Sequence, residues 1–102
     1  MSARKATEWT PRAKARLAGI LRTILEECGP VVEREWAVKL LGAPDALAAH
    51  PQLGRVVPEI GRDEIRELIV TPYRVFYKVG TDRCFVLSVR HSRMLIKSRR
   101  SL

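Results

Sequence analysis

The first third of the chain has the residue spacing of an amphipathic helix. Thr10 followed by Pro11 is typical of a helix start, because threonine caps the first turn and proline at the first helical position leaves no N–H unpaired. Apolar residues then recur three or four positions apart, which places them on one side of a helix. They are Leu17, Ile20, Leu21, Ile24, Leu25 and Cys28. Gly29 and Pro30 end this pattern, so a helix is predicted between them and Thr10.

A second amphipathic stretch predicts a helix that packs antiparallel to the first. Its apolar positions are Val31, Val32, Trp36, Leu40, Ala43 and Leu47. Gly42 and Pro44 interrupt it, because proline cannot donate to the helical ladder and clashes with the preceding turn. We therefore expect a kink, or a break into a short third helix, before Pro51 and Gly54.

The second half of the chain predicts strands. Three runs rich in β-branched and aromatic residues are separated by turn formers, and they span Ile65 to Val70, Tyr73 to Val79 and Cys84 to Arg90. Alternation in the last run predicts that Phe85, Leu87 and Val89 share one face. Lys5 to Trp9 is a candidate short edge strand. The predicted fold class is therefore α+β, with an N-terminal helical hairpin on a small antiparallel sheet in the order β-α-α-β-β-β.

Length and charge narrow the class of protein. A chain of 102 residues forms one domain, and a hydrophobic fraction of 46% argues against disorder. The net charge of +8 is uneven: residues 1–50 hold eight Lys/Arg and six Asp/Glu, whereas residues 51–102 hold eleven and five. This excess suits nucleic acid, an acidic protein segment or a membrane headgroup layer, and composition does not rank the three.

Other features of the composition limit chemistry and location. Cys28 and Cys84 have neither redox nor zinc spacing, so both are predicted to be reduced and buried, and we expect no metal and no cofactor. The N-terminus lacks a signal-peptide apolar core, and no run approaches the ~18 apolar residues of a membrane span. We therefore expect a cytoplasmic protein that does not enter the membrane.

Four motifs follow one another along the second half of the chain. They are PQLGRVVPE at 51–59, IREL at 65–68, YRVFY at 73–77 and VRHSR at 89–93. Together with Trp9-Thr10-Pro11-Arg12-Ala13, they resemble the RelE/ParE superfamily of bacterial toxins over residues 5–93. The resemblance implies a curved antiparallel sheet backed by a helical hairpin, and a hetero-oligomeric complex with an acidic antitoxin that wraps the toxin. We assign residues 1–93 to this domain and residues 94–102 to a basic C-terminal tail.

The resemblance implies two different activities. RelE-like members cleave messenger RNA in the ribosome, whereas ParE-like members poison DNA gyrase and are not nucleases. Metal-free RNA cleavage needs a base, an acid and cations around the phosphate. If this chain is a nuclease, the candidate residues are Glu59, Arg66, Arg74, Arg90 and His91.

These residues also have structural interpretations, which the sequence leaves open. Glu59 could simply pair with Arg55 or Arg66. Arg66 and Arg74 could form cross-strand ion pairs with acidic residues of the neighbouring strand, Glu64 or Glu67. His91 could be structural or catalytic, because the histidine side chain in general changes charge near neutral pH, which suits either role.

The C-terminal motif favours the ParE branch. His91-Ser92-Arg93 follows the last predicted strand, and the terminal tyrosine that nuclease members commonly carry there is missing. The hypothesis is therefore a gyrase inhibitor rather than an enzyme, with a ribosome-dependent endoribonuclease as the alternative. The residues predicted to contact the target or the antitoxin are Arg55, Arg66, Tyr73, Arg74, Arg90, His91 and Arg93.

Overall fold

The computed structural model describes residues 6–102 and shows a helical hairpin followed by a sheet. The helices and strands are β1 (Ala6–Trp9), α1 (Pro11–Cys28), α2 (Pro30–Gly42), β2 (Arg55–Val56), β3 (Ile65–Val70), β4 (Tyr73–Val79) and β5 (Arg83–His91). Two 3-10 turns cover Ala43–Ala48 and Arg99–Ser101. The predicted α+β class, with helices before strands, is confirmed.

Local sequence sets the ends of the helices. The hydroxyl of Thr10 accepts a hydrogen bond from the Ala13 N–H at 3.1 Å, which caps α1. Gly29 ends α1 at φ 87°, a conformation that favours glycine, and Pro30 occupies the first turn of α2. The break expected near Gly42 is also present, because α2 ends there and a 3-10 turn continues the chain.

The sheet is mixed rather than wholly antiparallel. Within residues 6–102 the strand order is β1-β5-β4-β3-β2, and only the β1–β5 pair is parallel. Parallel pairing needs a long connection between the strands, and here the hairpin and three strands separate β1 from β5. The predicted edge strand at Lys5 to Trp9 is present as β1, although Lys5 lies outside the described residues. The two-residue strand β2 was not predicted.

One side of the sheet forms the main core with the hairpin. The fully buried residues there are Ala13, Leu17, Leu40, Val75, Val86 and Val89, and Trp9, Trp36 and Tyr73 pack against them. No disulfide joins the two cysteines. Cys84 is buried as predicted, but the same prediction is wrong for Cys28, which is exposed. Leu25, near the same end of α1, is likewise 46% exposed.

A bulge in β5 overturns the predicted alternation. Phe76 pairs with Ser88 and Tyr77 pairs with Val86, so Leu87 is an extra residue on β5. As a result Leu87 packs on the sheet face opposite the helices, whereas Val89 lies in the main core. The prediction that these two residues share a face is wrong.

The C-terminal segment folds back onto the face opposite the helices. Ile96 and Leu102 are only 2% and 4% exposed, and they pack with Val57, Ile65 and Phe76. The boundary placed at residue 93 stays a prediction, but residues beyond it contribute to the core. No helix among residues 6–102 is long and apolar enough to cross a membrane.

Candidate functional site

The predicted site residues are divided between the two faces of the sheet. Residues that pair directly across antiparallel strands point to the same side. Arg74 pairs with Arg90, and these two share the face opposite the helices with Phe76. Tyr73 pairs with His91, and Tyr73 packs against the main core, so these two lie on the helical face.

Two further predicted residues follow the same division. Arg55 pairs with Glu67, which in turn pairs with Phe76, so Arg55 is on the face opposite the helices. Arg66 pairs with Tyr77, which packs in a core cluster with Leu47, so Arg66 belongs to the helical face. The seven predicted contacts therefore do not form one continuous surface.

A network of ion pairs occupies the face opposite the helices. The two terminal nitrogens of Arg74 each donate to a carboxylate oxygen of Glu59 at 2.9 Å. The same guanidinium donates to Glu67, through Nε at 3.1 Å and Nη2 at 2.5 Å. Arg55 adds two bonds to Glu67 at 3.1 and 3.0 Å, and the Arg74 guanidinium lies 4.8 Å from the centre of the Phe76 ring. Two arginines therefore face two carboxylates, and the network is close to neutral.

Hydrogen bonding favours the charged forms of Arg74 and Glu59. The hydrogen bond from Arg74 lowers the pKa of Glu59, against a smaller opposing effect of desolvation. The bonds to Glu59 and then to Glu67 raise the pKa of Arg74. The expectation that Glu59 pairs with Arg55 or Arg66 is wrong, since its partner is Arg74. The Arg74–Glu67 pair is one of the cross-strand alternatives that the sequence left open.

Arg66 holds the loop that precedes β2. It donates to the carbonyl of Gly54 at 2.9 Å, and to the carbonyl and the carboxylate of Asp63 at 2.9 and 2.8 Å. The Tyr77 hydroxyl lies beside it, accepting from the Gly54 N–H and donating to the Pro51 carbonyl, both at 2.8 Å. The hydrogen bonds of Arg66 thus go to the loop before β2 and to the turn before β3.

Trp36, Tyr73 and His91 form a row of rings in edge-to-face contact. The Tyr73 ring meets Trp36 edge to face at 5.3 Å between centroids and meets His91 in the same way at 5.8 Å. Burial raises the pKa of Tyr73. Nδ1 of His91 accepts the backbone N–H of the exposed Arg93 at 3.1 Å. The two candidate bases, Glu59 and His91, therefore lie on opposite faces of the sheet.

Arg90 belongs to a group of arginines that sequence reasoning did not assemble. Its members, which we call the basic cluster, are Arg12, Arg16, Arg90, Arg99 and Arg100. Nη2 of Arg90 donates to the carbonyl of Ser101, and Nη2 of Arg12 lies 3.5 Å from the carbonyl of Arg100. The four-residue spacing of Arg12 and Arg16 puts both on one side of α1, which the sequence does reveal. The return of the tail to meet them is not visible in any local pattern.

The described part of the chain contains no group of three or more His, Cys, Asp or Glu residues that could hold a metal ion. Its charged side chains include one compensated network and one basic cluster. Both lie on, or at the edge of, a sheet backed by a helical hairpin.

Comparison with known proteins identifies this arrangement. The family model described as the ParE toxin of the type II toxin-antitoxin system, parDE, matches residues 7–96. The chain is similar to Toxin RelE2 of Caulobacter vibrioides, with 33% identity over 88 residues that cover 85% of this chain and 94% of the relative. Fold and site thus define a toxin of the RelE/ParE superfamily. Within it, the chain belongs to the ParE toxin family of type II toxin-antitoxin systems.

Two solved structures share the fold. One is described as the chromosomal ParDE toxin-antitoxin system from P. aeruginosa, with a TM-score of 0.75 and 18% identity over 88% of this chain and 98% of that one. The other is the RelBE2 toxin-antitoxin complex from Mycobacterium tuberculosis, with a TM-score of 0.56 and 16% identity over 89% and 94%. At these identities the likeness concerns the fold.

Proposed function

We propose that this toxin arrests growth by binding DNA gyrase and trapping its cleaved DNA complex, without itself catalysing a reaction. The membership in the ParE family supports this target. The observation that carries the proposal is the state of Arg74, which is bound on both sides by the carboxylates of Glu59 and Glu67. Gyrase would be met in the cytoplasm, where we expect the toxin to act.

An RNA-cleaving site would need these same residues in a different state. A guanidinium that stabilises a phosphate must have free donors. Arg74 already donates four hydrogen bonds to two carboxylates. A general base works best with a pKa near the working pH, whereas Arg74 lowers the pKa of Glu59. His91 lies on the other face and cannot complement Glu59 there. The geometry thus favours binding over acid–base catalysis.

An acidic antitoxin is the proposed inhibitor. The hairpin leaves large apolar side chains in solvent, at 46% exposure for Leu25, 71% for Val31, 68% for Val38 and 50% for Leu41. An amphipathic helix could cover such a surface, and acidic residues next to it could reach exposed arginines. The similar solved structures are toxin-antitoxin assemblies, which supports the same kind of partner here.

The test is a supercoiling assay with purified gyrase and plasmid. We expect the toxin to inhibit supercoiling and to accumulate linear plasmid, and the product of an adjacent antitoxin gene to reverse both effects. Relaxation by a type I topoisomerase serves as the control and should not change. Normal supercoiling at excess toxin would overturn the proposal.

The relative named RelE2 favours a second candidate, a ribosome-dependent messenger RNA endoribonuclease. In that case programmed ribosomes incubated with the toxin would yield cleaved messenger. Glu59→Gln or His91→Gln would lower the cleavage rate by roughly a hundredfold or more if either residue is the acid or base. Running both assays on one preparation separates the two functions.

A further inference from the structure

The basic cluster lies where β5 extends past β1. β1 pairs only with Arg83–Val86 of β5, and Thr10 then bonds the carbonyl of Val86, so the first turns of α1 run beside the remainder of β5. The cluster borders two adjoining grooves of about 510 and 270 Å³. Arg12, Arg99 and Arg100 line the first groove, and Arg16 and Arg90 line the second.

The arginines of this cluster form no ion pair among the described residues. None of its five arginines lies within 4.0 Å of a carboxylate oxygen, in contrast to Arg55 and Arg74 on the nearby sheet face. The first turn of α1 contains no acidic residue either. The positive end of the helix dipole therefore adds to the same field.

The guanidiniums repel one another and have donors to spare. Burial lowers the pKa of Arg16, and the nearby charges of Arg90 and Arg12 lower it further. Burial, followed by the charge of Arg12, lowers the pKa of Arg90. The Nε atoms of Arg16 and Arg90 are buried and have no hydrogen-bond partner. An anion placed among the guanidiniums would relieve the repulsion and accept hydrogen bonds from the exposed residues Arg12, Arg99 and Arg100.

We propose that the basic cluster binds the phosphodiester backbone of a nucleic acid, and that in the gyrase complex this backbone is the DNA. The identification of DNA rests on the proposed function, whereas the phosphate chemistry does not. A toxin that traps a protein–DNA complex can stabilise it by contacting both components. Arginine suits this role because its planar fork of donors matches a phosphate group.

The position of the cluster favours nucleic acid over an acidic peptide. A peptide that wraps the toxin would be anchored by the apolar surface that begins at Leu25. Arg12 lies thirteen residues earlier on α1, which at the helical rise is about 20 Å away. The Arg12 end of the basic cluster is thus separate from that surface, so both partners could be bound at different places.

The decisive measurement is the salt dependence of binding to a short DNA duplex, followed by fluorescence anisotropy between about 50 and 200 mM salt. The double variant Arg12→Gln/Arg16→Gln removes two members of the cluster, and glutamine keeps the helix propensity of α1. The matched control is Arg22→Gln/Arg34→Gln, which removes the same charge from exposed positions elsewhere on the hairpin. The slope of log K against log salt is negative for a protein that contacts phosphates. We expect it to become less negative by about 1 for each cluster arginine removed, and to stay unchanged in the control.

The outcomes separate this inference from the proposed function. Equal slopes in the two double variants, or no duplex binding by the wild type at the lowest salt, would overturn the inference. A second experiment uses polyglutamate to displace the bound duplex. The inference would also be overturned if this displacement is lost in Arg22→Gln/Arg34→Gln but kept in Arg12→Gln/Arg16→Gln. A further outcome is that the salt dependence of duplex binding weakens in the cluster variant alone while the wild type leaves gyrase unaffected. In that case the proposed function fails and the phosphate site stands. A matching loss of slope on single-stranded RNA would then assign the backbone to RNA.

Discussion

The guanidinium of Arg74 and the carboxylate of Glu67 lie 2.5 Å apart on neighbouring strands, although their side chains are only 8% and 0% exposed. Each charge depends on the other, because a buried ion without a partner is strongly destabilising. Glu67 also accepts hydrogen bonds from Arg55, and Arg74 also binds Glu59. The pair is therefore the centre of the network on the face opposite the helices.

Replacing Glu67 tests this dependence. Glu67→Gln should lower the free energy of unfolding by about 3 kcal/mol, because it leaves the buried Arg74 guanidinium with only the partly exposed carboxylate of Glu59 as a charge partner. Urea denaturation measures the change. Glu64→Gln breaks an ion pair with Arg62 that is exposed to solvent, and it should alter stability far less. Similar losses in both variants would show that the network is not buried as described.

The stability contributed by Glu59 should depend on pH. Arg74 lowers the pKa of Glu59 in the folded state, so the contribution is fully present above the ordinary glutamate pKa of about 4.3 and is lost as the pH falls through the folded value. The difference in unfolding free energy between wild type and Glu59→Gln should therefore be constant near neutrality and shrink in acid. Urea titrations at several pH values measure it. A difference that grows in acid would contradict the assignment.

The folded-back tail can be tested with two adjacent residues. Ile96→Ala should cost about 2 kcal/mol or more, because Ile96 is 2% exposed and its removal leaves a cavity beside Phe76. Leu95→Ala is the control, since Leu95 is 71% exposed and should contribute little. If thermal unfolding shows no difference between the two variants, the tail does not pack on the sheet.

Two glycines should respond in opposite ways to alanine. A Cβ on Gly54 would lie 2.4 Å from the carbonyl oxygen of Glu67, so Gly54→Ala should destabilise the fold by about 1 to 3 kcal/mol. Gly19 lies inside α1 with nothing within 4 Å of a Cβ, so Gly19→Ala should stabilise it by up to about 1 kcal/mol. Thermal melting of the two variants decides; a stabilising Gly54→Ala would contradict the close approach of the loop to β3.

The sequence predicted what depends on local pattern. The helix start at Thr10, the helix break near Gly42 and the three long strands were all visible from capping, proline and alternation. The exposure of Cys28 was not, because a helical stripe does not reveal where the surface beneath it ends. The bulge at Leu87 was not either, since one extra residue changes the face of everything that follows it.

The candidate site was predicted in composition but not in arrangement. Arg74 was singled out, yet its bond to Glu59 joins residues fifteen positions apart through a loop whose path the sequence does not encode locally. Arg12 and Arg16 were missed, because the distant segment that makes them a cluster returns only in the folded chain. Long-range contacts of this kind require the tertiary structure.

The parallel pairing of β1 with β5 has a consequence for how the chain folds. Trp9 is matched with Val86, so the edge of the sheet closes only after nearly the whole domain has been synthesised. Until then the complete sheet is not available to cover the apolar side of the hairpin. Contacts between such distant positions slow folding. We therefore expect the helical hairpin and the sheet to fold as a single cooperative unit, with neither half of the sequence folding without the other.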